Sequence, residues 1–162
     1  ALLDGEIIGI ANGRAEFGPR ALGNRTLTAD PRGPLIKDKM NEIKRRQKFR
    51  PFAPMILEED VHEYFEMPEN VSQSPYMQFV AKCKFPSEFP AIVHVDGTSR
   101  VQTVNQLQHP DLYVLLSSFK EETGCPMLVN TSLNIKGKPI VNDEKDAIEF
   151  SQYYGVKVFT SD

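Results

Sequence analysis

Short apolar segments with strand character alternate with amphipathic helical segments along the whole chain, and this alternation constrains the fold more than any other feature. Glu6 to Ala11 reads as a strand carrying Ile7, Ile8 and Ile10, closed by Asn12-Gly13. Thr26-Leu27-Thr28 reads as a short strand. Pro34 suits the first turn of a helix, and Ile36, Met40 and Ile43 follow at i, i+4 and i+7. Lys37, Asn41, Lys44 and Lys48 share another face of that helix. Phe52 to Leu57 is an apolar strand, Glu58 to Phe65 a short acidic helix, and 66–75 a loop. Tyr76 to Cys83, Ala91 to Val95 and Arg100 to Val104 read as strands, the last two joined by an Asp96-Gly97 turn. Pro110 to Thr123 is a helix bearing Leu112, Leu115, Leu116 and Phe119, with Gly124 at its C-terminal cap. Met127 to Val129 is a strand. Asp143 caps a helix whose inner stripe is Ala147, Phe150 and Tyr154, Gly155 ends it, and Val156 to Phe159 is a last strand. Interleaved strands and helices predict one α/β domain with a mixed sheet, and 162 residues are enough for one core.

Several classes drop out. No run approaches 18 apolar residues, so no membrane span is expected. The start, Ala-Leu-Leu-Asp-Gly-Glu, has neither the basic region nor the cleavage site of a signal peptide. It lacks an initiator Met and runs straight into a strand-like segment, which suggests a piece of a longer chain. Cys83 and Cys125 lie far apart with no CxxC, so neither a zinc knuckle nor a redox pair is supported. Small core residues in a reducing cytoplasm are the expectation for them.

The formal net charge of −3 hides a split. Residues 1–57 hold 11 basic and 6 acidic side chains, and residues 58–162 hold 8 basic and 16 acidic. Seven of the eight arginines lie between Arg14 and Arg50, and the eighth is Arg100. Arginine presents a rigid fork of donors suited to phosphate and carboxylate oxygens. An anionic partner is therefore the first thing to look for.

Four segments could carry chemistry. In Glu16-Phe17-Gly18-Pro19-Arg20-Ala21-Leu22-Gly23-Asn24-Arg25, glycines let backbone N–H groups approach a ligand while Arg20 and Arg25 supply charge; the bland alternative is a tight turn with solvated arginines. There is no P-loop and no GxGxxG. In Asn41-Glu42-Ile43-Lys44-Arg45-Arg46-Gln47-Lys48-Phe49-Arg50-Pro51-Phe52-Ala53-Pro54 the alternatives are a solvated basic helix end and a nucleic-acid patch. The shortness of the basic stretch, the absence of Trp and the acidic remainder weigh against nucleic acid, and pattern alone makes Phe49 and Phe52 core residues. In Asn130-Thr131-Ser132-Leu133-Asn134 an extended backbone would point Asn130, Ser132 and Asn134 the same way, a row suited to phosphate oxygens or a small planar group; self-capping turns are the alternative. Ser132 has no local base to make it a nucleophile. In His94-Val95-Asp96-Gly97-Thr98-Ser99-Arg100, His94 and Asp96 would share a strand face without further metal-ligand spacing, and Arg100, just past the turn, could close over an anion.

These motifs in this order, GRAEFGPRALGNRT, NEIKRRQKFRPFAPMIL, HVDGTSRVQTV and CPMLVNTSLNIKGKPIV, resemble the carboxy-terminal domain of the NodU/CmcH-type O-carbamoyltransferases over almost the whole chain. That domain is YrdC-like, and it resembles enzymes that make carbamoyl-adenylates in RNA modification and hydrogenase maturation. They share a Lys-x-Arg and a Ser-x-Asn signature, here Lys44-Arg45-Arg46 and Ser132-Leu133-Asn134. Gln47, Leu133, Lys138 and Thr26 depart from the family's usual Glu, Phe, Glu and Ser.

The resemblance implies a YrdC-like α/β domain with a twisted mixed sheet, flanking helices and a concave basic pocket. It implies formation of carbamoyl-adenylate from carbamoyl phosphate and ATP. A separate amino-terminal domain would then pass the carbamoyl group to a hydroxylated small molecule. Mg²⁺ would come with ATP rather than from a dedicated cage. By resemblance Arg20, Lys44, Arg50 and Arg100 meet phosphate groups, and Arg46 binds phosphate or holds the site's shape. Asn130, Ser132 and Asn134 meet carbamoyl or phosphate oxygens, and Arg25 belongs to the same binding set. An RNA-binding or threonylcarbamoyl-adenylate-type RNA-modification module, and a regulatory domain that has lost its chemistry, are the alternatives.

Overall fold

The structure, a computed structural model, describes residues 1–135 and 137–160. The strands are β1 (Ile8–Ala11), β2 (Arg25–Thr28), β3 (Ala53–Leu57), β4 (Phe65–Glu66), β5 (Phe79–Cys83), β6 (Thr98–Val104), β7 (Met127–Ser132) and β8 (Lys157–Thr160). The helices are α1 (Ile36–Ile43), α2 (Val61–Tyr64), α3 (Pro110–Thr123) and α4 (Glu144–Tyr154). Among the described residues one sheet of eight strands forms, in the order β4-β5-β6-β3-β7-β2-β1-β8. Only β3–β6 and β1–β8 are parallel. The expected single α/β domain with a mixed sheet and flanking helices is what the chain adopts.

The central strand β3 is buried at all five positions, because both sheet faces are covered. Pro54 is tolerated there because it faces only β7, through Val129, and pairing with β6 begins at Met55. Helix α3 packs on β3 and β7 through a stripe that buries Leu112, Leu116 and Phe119. Its C-cap Gly124 takes the left-handed conformation, at φ +75°. Asp143 caps α4 by accepting from the Asp146 N–H, and Gly155 ends the helix, also left-handed. Both cysteines are free and buried in the core. Burial pushes the Cys125 thiol up to about 11. No helix among the described residues is long and apolar enough to cross a membrane.

Three local expectations are corrected. Ala91 to Val95 is not a strand. Ala91 and Ile92 are wholly buried as turns, the Ala91 carbonyl accepting from the Phe52 N–H and the Ile92 carbonyl from Ser99 Oγ. Apolar content there reports a core plug, not a ladder. The acidic 58–65 segment splits into a 3-10 turn at Glu58–Asp60, the single helical turn α2 and the first residue of β4. Phe52 is buried as expected, but Phe49 is 71% exposed, because the chain turns outward between α1 and β3.

Candidate functional site

A pocket of about 140 Å³ opens where the 16–25 loop, the segment after α1, β6 and the end of β7 meet. Arg20, Arg46, Arg100, Asn130 and Ser132 line it, with Phe52 and Met77 among the apolar walls. Residues far apart in sequence are thus brought together. Among the described residues no carboxylate lies within 4 Å of Arg20, Lys44, Arg46, Arg50 or Arg100. The buried Nε of Arg100 has no hydrogen-bond partner, and burial together with Arg20 lowers the pKa of this guanidinium. Unpaired cations crowded against one another favour an anion between them.

Helix α1 ends so as to aim Arg46 into this pocket. The Arg45 N–H donates to Glu42 O, the Arg46 N–H donates to Asn41 O, and Arg45 sits at φ +51°. This is a Schellman closure with arginine where glycine is usual, a small strain beside the site. Met77, which lines the pocket, is the other non-glycine residue with positive φ among the described residues, at +57°. Asn41, wholly buried, accepts from Arg46 Nε at 2.6 Å and donates to the carbonyls of Lys48 and Arg50. The Arg46 guanidinium also lies 4.4 Å from the Phe52 ring centroid. Burial and Arg50 bring the Arg46 pKa down to about 10, so it stays charged at neutral pH. Arg50 itself is exposed and flanks the pocket rather than lining it.

Lys44 lies behind this wall. Its Nζ donates toward Ser132 O, Ser132 Oγ (3.2 Å), Asn134 O (3.0 Å) and Asn134 Oδ1 (3.0 Å). Ser132 Oγ in turn donates to Asn134 Oδ1 at 2.6 Å. Lys44 of the Lys-x-Arg pair and both residues of the Ser-x-Asn pair are therefore one hydrogen-bonded unit, while Arg46 is held by Asn41. With no carboxylate to balance it, burial and the Arg46 charge lower the Lys44 pKa to about 7. The expected row of three side chains holds only in part. Asn130 and Ser132 alternate on β7, but the chain then turns, with Asn134 N–H donating to Ser132 O.

Asn130 has its polar atoms engaged. Nδ2 donates to Ala21 O and to Gln102 Oε1, and Oδ1 accepts from Thr26 Oγ1. Gln102 Nε2 donates to Leu22 O. Asn130 and Gln102 thus hold the arginine loop by its backbone. The loop also needs Gly23, at φ +122°, where an added Cβ would stand 2.7 Å from both His109 Nε2 and Leu112 Cδ2. Gly23→Ala is expected to destabilise the protein by about 2–3 kcal/mol. A denaturant melt checks this, and a change within experimental error would mean the loop can relax.

Arg25 takes a different place from the one expected. Its guanidinium is buried and donates to the carbonyls of Asn12, Gly13, Asn24 and Asn142, tying the loop to the segment before α4. His94 and Asp96 are exposed. Asp96 Oδ1 accepts from Thr98 N–H and Oγ1, a turn closure that holds its carboxyl below the usual carboxylate range. Sequence reasoning missed Asn41 and Gln102 as site residues. The available signals were weak: Asn41 shares the Lys44 helix face, and Gln102 follows Arg100 at the strand period of two.

Comparison with known proteins adds the following. A family model described as "Carbamoyltransferase C-terminus" matches residues 1–161. The chain is 46% identical over 150 residues to nodulation protein NolO of Bradyrhizobium diazoefficiens, covering 91% of this chain and 27% of that protein. It is 39% identical to 3'-hydroxymethylcephem-O-carbamoyltransferase of Amycolatopsis lactamdurans, covering 96% of this chain and 29% of that one. The chain therefore spans between a quarter and a third of the length of these relatives. Its fold is similar to full-length HypF in the phosphate- and nucleotide-bound form, with a TM-score of 0.70 at 23% identity over 98% of this chain and 23% of HypF.

Proposed function

The chain belongs to the carbamoyltransferase C-terminal family, and on that premise we propose that it is the adenylate-forming part of an O-carbamoyltransferase. The observation that carries this is the pocket lined by Arg20, Arg46 and Arg100, backed by Lys44 and free of carboxylate partners among the described residues. The proposed reaction brings two phosphate-bearing substrates together. Water cleaves carbamoyl phosphate to carbamate and inorganic phosphate. A carbamate oxygen then bonds to the α-phosphorus of ATP, the bond from that phosphorus to the β-bridging oxygen breaks, and pyrophosphate leaves. Such chemistry asks the protein mainly to position anions and to stabilise charge on phosphorus and the leaving oxygens. Guanidinium forks on three elements and one buried ammonium suit that task, and no side-chain nucleophile is required. Arg46 and Arg100 would take oxygens of the reacting phosphates, Arg20 and Arg50 the outer ones, and the Ser132 hydroxyl and Asn134 amide the carbamoyl group. Mg²⁺ enters this reading with the phosphates of ATP. An amino-terminal domain of the whole protein would pass the carbamoyl group to a hydroxyl acceptor.

The test is carbamoyl-phosphate-dependent release of pyrophosphate from ATP by the intact protein with Mg²⁺ and acceptor. Its absence in folded protein overturns the reading. A simpler measurement is thermal: carbamoyl phosphate at about a hundred times its Kd should raise Tm by roughly 5–10 °C. Arg100→Gln should lose most of that shift, and an unchanged shift would remove Arg100 from the site.

A further inference from the structure

Asn41 is a polar side chain in the last turn of α1, yet it is wholly buried. Its amide is fully engaged. Nδ2 donates to Lys48 O at 3.0 Å and to Arg50 O at 2.9 Å, and Oδ1 accepts from Arg46 Nε at 2.6 Å. Its backbone carbonyl accepts from the Arg46 N–H. Gln47, Lys48, Phe49 and Arg50 are all exposed, so packing does not hold this segment. Among the described residues no other hydrogen bond joins the backbone of 47–50 to the rest of the fold. Arg46 is confined from two sides, by the Asn41 amide at Nε and by the Phe52 ring, whose centroid lies 4.4 Å from Cζ. Its two terminal nitrogens make no hydrogen bond among the described residues, and the side chain lines the arginine pocket.

We infer that Asn41 is a positioning residue of the anion site: it sets the Arg46 guanidinium in the pocket, and fixes the chain that carries Arg50, before any ligand arrives. The inference rests on the proposed role of Arg46 in meeting phosphate. A free arginine side chain explores many rotamers, and ordering it at the moment of binding weakens binding. Holding Nε orders the fork in advance and leaves both terminal nitrogens for anion oxygens. The group that holds Nε also decides how much charge remains for the ligand. A carboxylate would pair with the guanidinium, whereas an amide oxygen fixes the same atom without neutralising it. Arg46 is thus ordered although no carboxylate lies within 4 Å among the described residues. An amide is also the one short side chain that can accept from Nε and donate to two carbonyls at once. A carboxylate has no proton to donate, and a hydroxyl has one.

Calorimetric binding of pyrophosphate to the intact protein and to its Asn41→Ala, Arg46→Met and doubly substituted variants tests this. Alanine keeps α1 helical while removing the amide. Asn41→Ala should weaken pyrophosphate binding about tenfold when Arg46 is present. In the Arg46→Met background the same substitution should cost about threefold or less, the remainder passing through Arg50. Equal losses in the two backgrounds overturn the inference and leave Asn41 a structural residue only. Arg46→Met alone should weaken binding at least about tenfold. If it does not, Arg46 does not meet phosphate, and the reading of the pocket falls together with the inference. Should Asn41→Ala fail to fold, the wild type decides alone. In ligand-free intact protein labelled with ¹⁵N-arginine, the Arg46 Nε–H signal is assigned by its loss in Arg46→Met. It should exchange with water at least about a hundredfold more slowly than the same group of free arginine. Exchange at the free rate would show that Arg46 is not held before binding, and overturns the inference.

Discussion

Lys44→Met is expected to lower carbamoyl-phosphate-dependent pyrophosphate release at least about a hundredfold. Methionine preserves much of the side-chain length but removes the cation that joins the end of α1 to Ser132 and Asn134. It takes one donor from each of the four oxygens that Lys44 meets, so the site loses a charge and an anchor together. Steady-state kinetics check this, and activity within about threefold of wild type would exclude Lys44 from the reaction. The same variant carries a pH signature. The Lys44 pKa lies near 7 in the folded chain and at 10.5 when unperturbed. Below about 7 both states hold the proton, and between there and 10.5 only the unfolded chain does. Stability from this group therefore rises with pH across that window, and Lys44→Met should flatten the rise. Binding of an anion favours the ammonium, so pyrophosphate affinity should fall above pH 7 by at most about tenfold per pH unit. A wild-type profile that rises with pH in that range would contradict the assignment.

Asn130→Leu is expected to cost about 3 kcal/mol or more, which lowers Tm by roughly 6–12 °C for a domain of this size. The volumes are similar, so the loss is one of hydrogen bonding. Ala21 O and Gln102 Oε1 lose a donor and Thr26 Oγ1 an acceptor, all in the interior. Because the lost bonds hold the loop that carries Arg20, phosphate binding should weaken as well. A melt within about 2 °C of wild type would mean that water or a shifted loop replaces these bonds.

Much of the fold was legible because its signals are local. The stripes of α1, α3 and α4, the Asp143 cap and the left-handed Gly124 and Gly155 each depend on a few neighbouring residues, and the structure has them as read. Ala91 to Val95 misled because an apolar run reports burial and says nothing of whether a neighbouring strand is there to pair. Phe49 misled for the same reason in reverse: alternation with Phe52 does not show where the chain leaves the core. The candidate site was legible as a set of cations, since arginines collected around glycine and proline are a composition signal. Their division of labour was not. Arg25 and Arg20 sit in the same motif, yet one is enclosed by four carbonyls and the other lines the pocket.

By itself the sequence determined that this is an α/β domain with its basic side chains concentrated in the first third and at Arg100, because periodicity and composition are carried by the chain alone. Tertiary structure decided which of those charges remain unpaired. That depends on how the turn at Arg45, the β6 register and the end of β7 bring Arg46, Arg100 and Ser132 to one wall. It also decided that Glu16, an acid among arginines, turns one oxygen onto backbone N–H groups and leaves the other without a partner. Contacts of that kind join residues distant in sequence, and only packing determines which donor meets which acceptor.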